Sequence, residues 1–213
     1  MLKCDVRGEG ELVVLLHSGG MSSRQWRRLA ERLAGNHRVV SPDFLGSGDN
    51  PPWPPEAPFD FHADVAEIRT ILDAFGPAAH LVGHSYGGLV AATVARQRHA
   101  DVRSLCLYDP VAFGTLHDPA DPAGLADLDR VVKNPVFLDD ARGGTDAWFS
   151  VFLEYWNGPG SWAALPAPAR EAFLRVGRKV YFEVRSLMAD QTPASAYAVV
   201  RAPTLLLTGE RTP

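Results

Sequence analysis

The sequence predicts an α/β protein built on a doubly wound, mostly parallel sheet, with a helical cap inserted between two of its strands. Residues 11–110 alternate short apolar runs with amphipathic segments, which is the pattern of βαβ units. Residues 146–190 instead have helical spacing and many aromatic side chains, and an apolar run returns at 204–208. We predict three parts: the first part of the core at 1–113, the cap at 114–197 and the last core strand at 198–213.

The first elements are predicted from local patterns. Leu12–Leu16 is an uninterrupted apolar run, which is typical of a buried parallel strand. A helix with one apolar face begins at Ser22, where Gln25 has the spacing of a capping box. Arg38–Ser41 is the next strand, and it ends because Pro42 cannot continue the hydrogen-bonded ladder.

The later core elements follow the same logic. Asp60 can cap a second amphipathic helix, which ends at Gly76-Pro77. His80–Gly83 is a short apolar strand, and a helix follows it over Tyr86–Arg98. Val102–Tyr108 is the strand after that helix.

Composition and charge exclude several classes of protein. A net charge of −4 without a long run of one sign gives no reason to expect nucleic acid or an anionic membrane as partner. No apolar run approaches the ~18 residues of a membrane span, and the first residues lack the apolar region of a signal peptide. Cys4 and Cys106 are predicted to be free thiols. We therefore expect a cytoplasmic protein, and the large excess of Arg over Lys with frequent Ala and Pro suggests a bacterial source. The absence of metal-ligand or nucleotide-binding motifs predicts no cofactor and no metal.

One motif carries most of the functional information. Gly83-His84-Ser85-Tyr86-Gly87 follows an apolar strand and opens a helix, which is the arrangement of a nucleophile elbow. In that turn the serine takes a strained positive φ, its Oγ is exposed above the sheet, and the flanking glycines let the turn close. Ser85 is the predicted nucleophile, and the alternative is a small residue in an ordinary turn.

With this motif the chain resembles the α/β-hydrolase family, and the resemblance extends over the whole sequence. Leu15–Gly20 looks like the family's strand and oxyanion loop, although Ser18 stands where glycine is usual, and Asp43–Gly48 looks like its D-x-x-G-x-G turn. Tyr108-Asp109-Pro110 is similar to the end of the strand after the elbow helix, and Pro203–Glu210 to the penultimate core strand. The resemblance implies a serine hydrolase with a helical cap.

The resemblance also implies roles for individual residues. The oxyanion hole would consist of the backbone N–H groups of Tyr86 and Gly19, with Gly20 as a neighbouring possibility and a plain glycine turn as the alternative. Asp109 occupies the place where a minority of the family, including some dehalogenases, carries the catalytic acid. The presence of an aspartate at position 109 is explained nearly as well by a structural Asp-Pro turn with Pro110. Glu210 is the lesser candidate for the acid. His17 is expected to fix the oxyanion loop through a hydrogen bond.

The catalytic histidine is the missing part of this pattern. The family's base follows the last strand, and no histidine lies downstream of residue 210. His117 is a weak candidate near the start of the cap, and His84 is expected to point away from the pocket. The chain is therefore expected to be truncated at its C-terminus relative to the family, with an unpaired sheet edge that could form a homodimer.

The predicted reaction is acyl transfer from a small ester-like substrate to Ser85 and then to water. The many aromatic residues of the cap imply an apolar acyl or aromatic substrate if some of them line the cleft. A serine at the elbow argues against haloalkane dehalogenation, which needs a carboxylate nucleophile. A related lactone or C–C substrate and a cofactor-free perhydrolase reaction, which uses the same triad, stay open. Two alternatives of other kinds also stay open, namely a catalytically incomplete fragment and a non-catalytic protein that binds a small molecule on the same fold.

Overall fold

The computed structural model describes residues 2–76, 78–117, 121–210 and 212. It contains one six-stranded sheet in the order β1-β3-β2-β4-β5-β6. Only β1, which pairs with β3, is antiparallel to its neighbour; the other described pairs are parallel. The strands are β1 (Cys4–Arg7), β2 (Glu11–Leu16), β3 (His37–Pro42), β4 (Ala79–His84), β5 (Val102–Tyr108) and β6 (Thr204–Leu207).

Six α-helices accompany the sheet in the described part of the chain. They are α1 (Arg27–Leu33), α2 (His62–Phe75), α3 (Tyr86–Gln97), α4 (Pro122–Val132), α5 (Asp146–Asn157) and α6 (Ala167–Ala189). None of them is long and apolar enough to cross a membrane. The predicted strands and helices of the core agree with the observed ones to within a few residues at each end, whereas β1 was not predicted.

Helices cover both faces of the sheet. Along β2, Leu12, Val14 and Leu16 belong to the core that contains the buried residues of α2 and α3. The alternate residues Val13 and Leu15 pack with Ala30 of α1. Because successive side chains of a strand point to opposite faces, this division places α1 on one face and α2 and α3 on the other. The prediction of a doubly wound, mostly parallel α/β fold is confirmed.

The start of the first helix differs from the prediction. A 3₁₀ turn, Ser23–Trp26, precedes α1, and the Ser22 side chain makes no capping hydrogen bond. The Gln25 side chain instead accepts the backbone N–H of Ser18 at 3.0 Å and lies 2.9 Å from His84 Nδ1. The predicted capping box is therefore wrong, because Gln25 is held by partners from the oxyanion loop and from β4.

Helices α4, α5 and α6 lie between β5 and β6 in the chain and have a core of their own. Trp148, which is fully buried, is at its centre and donates its indole N–H to the Phe137 carbonyl at 2.9 Å. The other buried aromatic residues of this core are Phe137, Phe149, Trp162 and Tyr181. Most of the aromatic side chains therefore stabilise this helical segment itself, residues 122–189, while its division from the core at 113/114 and 197/198 stays a prediction.

At one edge of the sheet, β6 pairs with β5 alone among the described residues. Its side chains Leu205, Leu206 and Leu207 are 54%, 58% and 44% exposed. An apolar edge strand of this kind presents unpaired backbone groups for pairing with another chain. This agrees with the expected unpaired edge, and the homodimer stays a prediction.

Candidate active site

The site lies where the carboxyl ends of β2, β4 and β5 meet. Strand β4 ends at His84 and α3 begins at Tyr86, so Ser85 alone makes the turn. Its backbone has φ +53° and ψ −115°, and its N–H donates to the Tyr108 carbonyl at 2.9 Å. A non-glycine residue in such a conformation costs about 1–3 kcal/mol, so the surrounding structure must hold it there.

Two glycines make this turn sterically possible. A Cβ at Gly83 would overlap the carbonyl oxygen of Gly87, and a Cβ at Gly87 would overlap the carbonyl oxygens of Leu16 and His17. The strand and the helix can therefore approach this closely only because both positions lack a side chain. The geometry is that of the elbow predicted from the motif.

The loop after β2 lies against the elbow. A Cβ built on Gly19 would be 3.8 Å from Cβ of Tyr86. His17 holds this loop: Nδ1 lies 2.7 Å from the Ser18 carbonyl oxygen and Nε2 accepts the Phe44 N–H at 3.1 Å. Burial lowers the pKa of His17 to about 4, so the ring is neutral near pH 7. The expectation that His17 fixes the loop is confirmed.

Ser85, Gly19 and Tyr86 line one small cavity of about 50 Å³. Apart from these residues and Glu183, its walls are hydrophobic or aromatic. They come from the segment after β5 and from the helical segment: Val111, Phe113, Leu128, Val131, Phe137, Phe152, Tyr155, Trp156, Val180, Val184 and Leu187. The predicted nucleophile and both predicted oxyanion residues thus share one small, mainly apolar space.

Asp109 lines an adjoining, larger cleft of about 740 Å³ and does not line the small cavity of Ser85. It follows β5 with φ +43°, and its Oδ1 accepts the Gly209 N–H at 3.0 Å. Its own N–H donates to the Leu207 carbonyl at 2.8 Å. Asp109 therefore ties the end of β5 to the segment after β6, and its Asp-Pro turn role and its predicted acid role both stay open. Glu210 is exposed and lines neither cavity.

All seven histidines fall in the described part of the chain, and none of them lines either cavity. His84 is held by Gln25, and its ring stacks on Tyr108 with centroids 4.7 Å apart, which agrees with the expectation that it points away from the pocket. His117 is exposed. The described residues therefore bring no imidazole between Ser85 and Asp109.

A buried polar cluster that reaches Gly19 through Glu183 was not predicted from any motif in the sequence. Lys179 of α6 donates to Oδ2 of Asp64 at 2.8 Å and also bonds Oε1 of Glu183. The Tyr86 hydroxyl donates to Asp64 Oδ2 at 2.7 Å, and the Leu45 N–H donates to Asp64 Oδ1 at 2.9 Å. Lys179, Asp64 and Glu183 are 3%, 0% and 1% exposed, so the whole cluster is removed from water.

Burial and neighbouring charges shift the proton equilibria of this cluster. Burial raises the pKa of Glu183, Asp64 raises it further, and the Lys179 ammonium opposes them without cancelling the rise. Burial alone would lower the pKa of Lys179, but the charges of Glu183 and Asp64 and their hydrogen bonds raise it. One sequence signal was available: Lys179 and Glu183 are four residues apart and interrupt the apolar stripe of α6.

The family model described as "Alpha/beta hydrolase family" matches residues 13–213. The chain belongs to the α/β-hydrolase family, which confirms the resemblance found in the sequence.

Relatives and a solved structure give the same result. The chain is 30% identical over 165 residues to "Lipase LipV" of Mycobacterium tuberculosis, and this alignment covers 76% of the chain and 55% of the lipase. It is 30% identical over 131 residues to "Lipase 1" of Psychrobacter immobilis, covering 61% of this chain and 39% of the relative. An α/β hydrolase from Sphaerobacter thermophilus superposes with a TM-score of 0.74 at 25% identity, over 100% of this chain and 79% of that one. The chain thus spans about half the length, or less, of these curated relatives.

Proposed function

We propose that the site is that of a serine hydrolase acting on carboxylic esters. Ser85 Oγ attacks the ester carbonyl carbon, the Oγ–C bond forms, the ester C–O bond breaks, and the alcohol leaves with the serine proton. Water then attacks the acyl-enzyme and releases the acid. The observation that supports this proposal most is the strained elbow conformation of Ser85 in the lining of a mainly apolar cavity.

The oxyanion of the tetrahedral intermediate would be bound by two backbone N–H groups. Tyr86 is the first residue of α3, where N–H groups lack helical partners and the helix dipole favours negative charge. The second donor would be Gly19, which lines the same cavity. Each such donor contributes on the order of 3 kcal/mol to stabilisation of the transition state.

The substrate is proposed to be an ester of a small apolar or aromatic acyl group. Leu128, Phe137, Phe152 and Val184 of the helical segment line the cavity, which supports a cap that covers the acyl group. Two relatives named as lipases support ester chemistry in particular.

Asp109 is proposed as the acid, which would orient an imidazole and stabilise its charged form. The cleft beside Asp109 has a volume of about 740 Å³ and adjoins the cavity of Ser85, so a free imidazole can reach the space between them. Added imidazole can therefore act as the proton acceptor for Ser85. The dependence of its effect on Asp109 tests the assignment of the acid.

The proposal is tested by intact-mass labelling with a fluorophosphonate, with and without imidazole. The Ser85 Oγ–P bond forms, the P–F bond breaks, fluoride leaves and imidazole takes the serine proton. We expect a single adduct that is lost in Ser85→Ala, and acceleration by imidazole that is lost in Asp109→Asn but kept in the matched control Glu210→Gln.

Three results would contradict parts of this proposal. An adduct that persists in Ser85→Ala excludes Ser85 as the nucleophile. If imidazole still accelerates labelling in Asp109→Asn but no longer does so in Glu210→Gln, the acid is Glu210 and not Asp109. Absence of any adduct together with tight binding of an apolar ligand favours a binding protein on the same fold.

A further inference from the structure

One buried oxygen beside the proposed oxyanion hole has no hydrogen-bond partner. Glu183 is 1% exposed, and its Oε1 is bonded by Lys179, but its Oε2 is unpaired among the described residues. Glu183 lines the cavity of Ser85, and its Oε2 lies 2.7 Å from the position of a Cβ built on Gly19. Because buried polar atoms in proteins are almost always paired, this oxygen indicates a missing partner in the cavity.

The charges of the cluster determine the form of this carboxyl group. Asp64 accepts three hydrogen bonds, from Lys179, Tyr86 and the Leu45 N–H, so it is fully satisfied as a carboxylate. The Lys179 ammonium balances that single negative charge. A second carboxylate would leave the buried cluster with a net negative charge, which is costly in a site removed from water. This charge balance favours the neutral acid form of Glu183, in which Oε1 accepts from Lys179 and Oε2–H is a donor.

We propose that the Oε2–H of Glu183 donates a hydrogen bond to the acyl oxygen of the bound substrate, as a third donor beside the backbone N–H groups of Gly19 and Tyr86. This inference rests on the proposed function. It makes Glu183 a catalytic residue, because its donor would strengthen its bond as negative charge develops on that oxygen. It also gives a reason for glycine at position 19, since a side chain there would collide with Oε2.

The protonation of Glu183 agrees with this role. Burial raises the pKa of Glu183, which favours the acid form, whereas an ionised carboxylate beside a developing oxyanion would repel it. The charged or titratable groups facing it are Asp64 of α2, Lys179 of α6 and Tyr86 of α3.

The first test measures the rate of fluorophosphonate labelling at Ser85, since the phosphoryl oxygen enters the oxyanion hole. We expect Glu183→Leu to slow labelling by about 10²-fold, the usual effect of removing one oxyanion donor. Glu183→Gln keeps both an acceptor and a donor and is expected to label within about threefold of the wild type. Glu171→Gln, an exposed position on the same helix, serves as the control and should not change the rate.

The pH dependence separates a donor from a merely structural carboxyl group. As pH rises through the pKa of Glu183 the wild type loses its donor, while Glu183→Gln cannot ionise. The ratio of the wild-type rate to the Glu183→Gln rate should therefore fall with increasing pH. A constant ratio, or a Glu183→Leu variant that labels at the wild-type rate, would overturn the proposal.

A second test does not depend on the reactivity of Ser85. Acetophenone, whose carbonyl oxygen is an acceptor, is titrated into Ser85→Ala, Ser85→Ala/Glu183→Gln and Ser85→Ala/Glu183→Leu. We expect Glu183→Gln to leave the Kd of acetophenone unchanged and Glu183→Leu to raise it at least about tenfold. We also expect ¹³C NMR to show a protonated Glu183 carboxyl group at pH 7. Equal Kd values, no measurable binding to Ser85→Ala, or an ionised Glu183 would each refute the role of Glu183. Absence of labelling in the wild type alone would instead refute the proposed function.

Discussion

Mild acid should destabilise the fold through His17. Its Nε2 accepts the Phe44 N–H at 3.1 Å, so a second proton on the ring would break this bond inside the core. Burial lowers the pKa of His17 from the usual 6.5 to about 4. The unfolded chain therefore binds this proton at a higher pH than the folded chain does. It follows that the stability carried by neutral His17 is present above pH 6.5 and is lost as the pH falls from 6.5 toward 4.

The size of the effect follows from the two pKa values. The gap between 6.5 and about 4 corresponds to roughly 3 kcal/mol in full, at about 1.4 kcal/mol for each pKa unit. Between pH 7 and pH 5 the expected loss is about 2 kcal/mol, because the folded state binds almost no proton at His17 in this range. For a chain of 213 residues this corresponds to a fall in Tm of roughly 4–8 °C.

Urea denaturation at pH 7 and pH 5 measures this loss. The wild type, His17→Gln and the exposed-histidine control His99→Gln are compared at both pH values. His99→Gln should lose as much unfolding free energy as the wild type, whereas His17→Gln should lose about 2 kcal/mol less. Equal losses in the wild type and in His17→Gln would show that His17 is not the titrating group and would refute the reasoning.

Three further predictions concern the same region. Lys179→Met should lower the unfolding free energy by about 3–5 kcal/mol, because Asp64 stays buried without its cation. The double variant Lys179→Met/Asp64→Asn should recover a large part of this loss. Urea denaturation measures both variants, and additive losses of the two substitutions would contradict the reasoning. Tyr86→Phe removes the hydroxyl donated to Asp64 and should cost about 1–3 kcal/mol, while the rate of Ser85 labelling stays within about threefold because the backbone N–H remains. Gly87→Ala should prevent folding or lower Tm strongly, because its Cβ would overlap backbone oxygens. Gly35 has open space around it, so the control Gly35→Ala should change Tm little. Similar Tm values for the two variants would contradict the steric argument.

The core of the fold was predictable because its signals are local. Strand β5 has the predicted bounds Val102–Tyr108, since the apolar run and its flanking turns are contiguous in sequence. The elbow at Ser85 was predictable for a similar reason, because two glycines and one strand–helix junction define it within five residues. The catalytic roles of Ser85, Asp109, Gly19 and Tyr86 are predictions that await the labelling experiments.

The polar partners of the site were not predictable because they come from distant parts of the chain. Asp64 lies on α2, Tyr86 on α3 and Lys179 on α6, and only the tertiary fold brings them together. Gln25 shows the same limitation at the level of a single side chain. Its spacing from Ser22 indicated a capping box, but the Gln25 side chain contacts Ser18 and His84 instead. Local patterns identify elements, whereas such networks depend on packing between them.

The position of the buried cluster is better explained by function than by stability. An ion pair removed from water gains little over a well-packed apolar core, because desolvation offsets most of its attraction. The cluster member Glu183 nevertheless lines the cavity of Ser85, and its Oε2, which is unpaired among the described residues, lies 2.7 Å from the position of a Cβ built on Gly19. If the cluster contributed only to stability, an apolar residue of similar size could replace Glu183 with little loss of unfolding free energy. We therefore expect Glu183→Leu to change the unfolding free energy much less than it changes the rate of Ser85 labelling, and the opposite order would assign the cluster to structure.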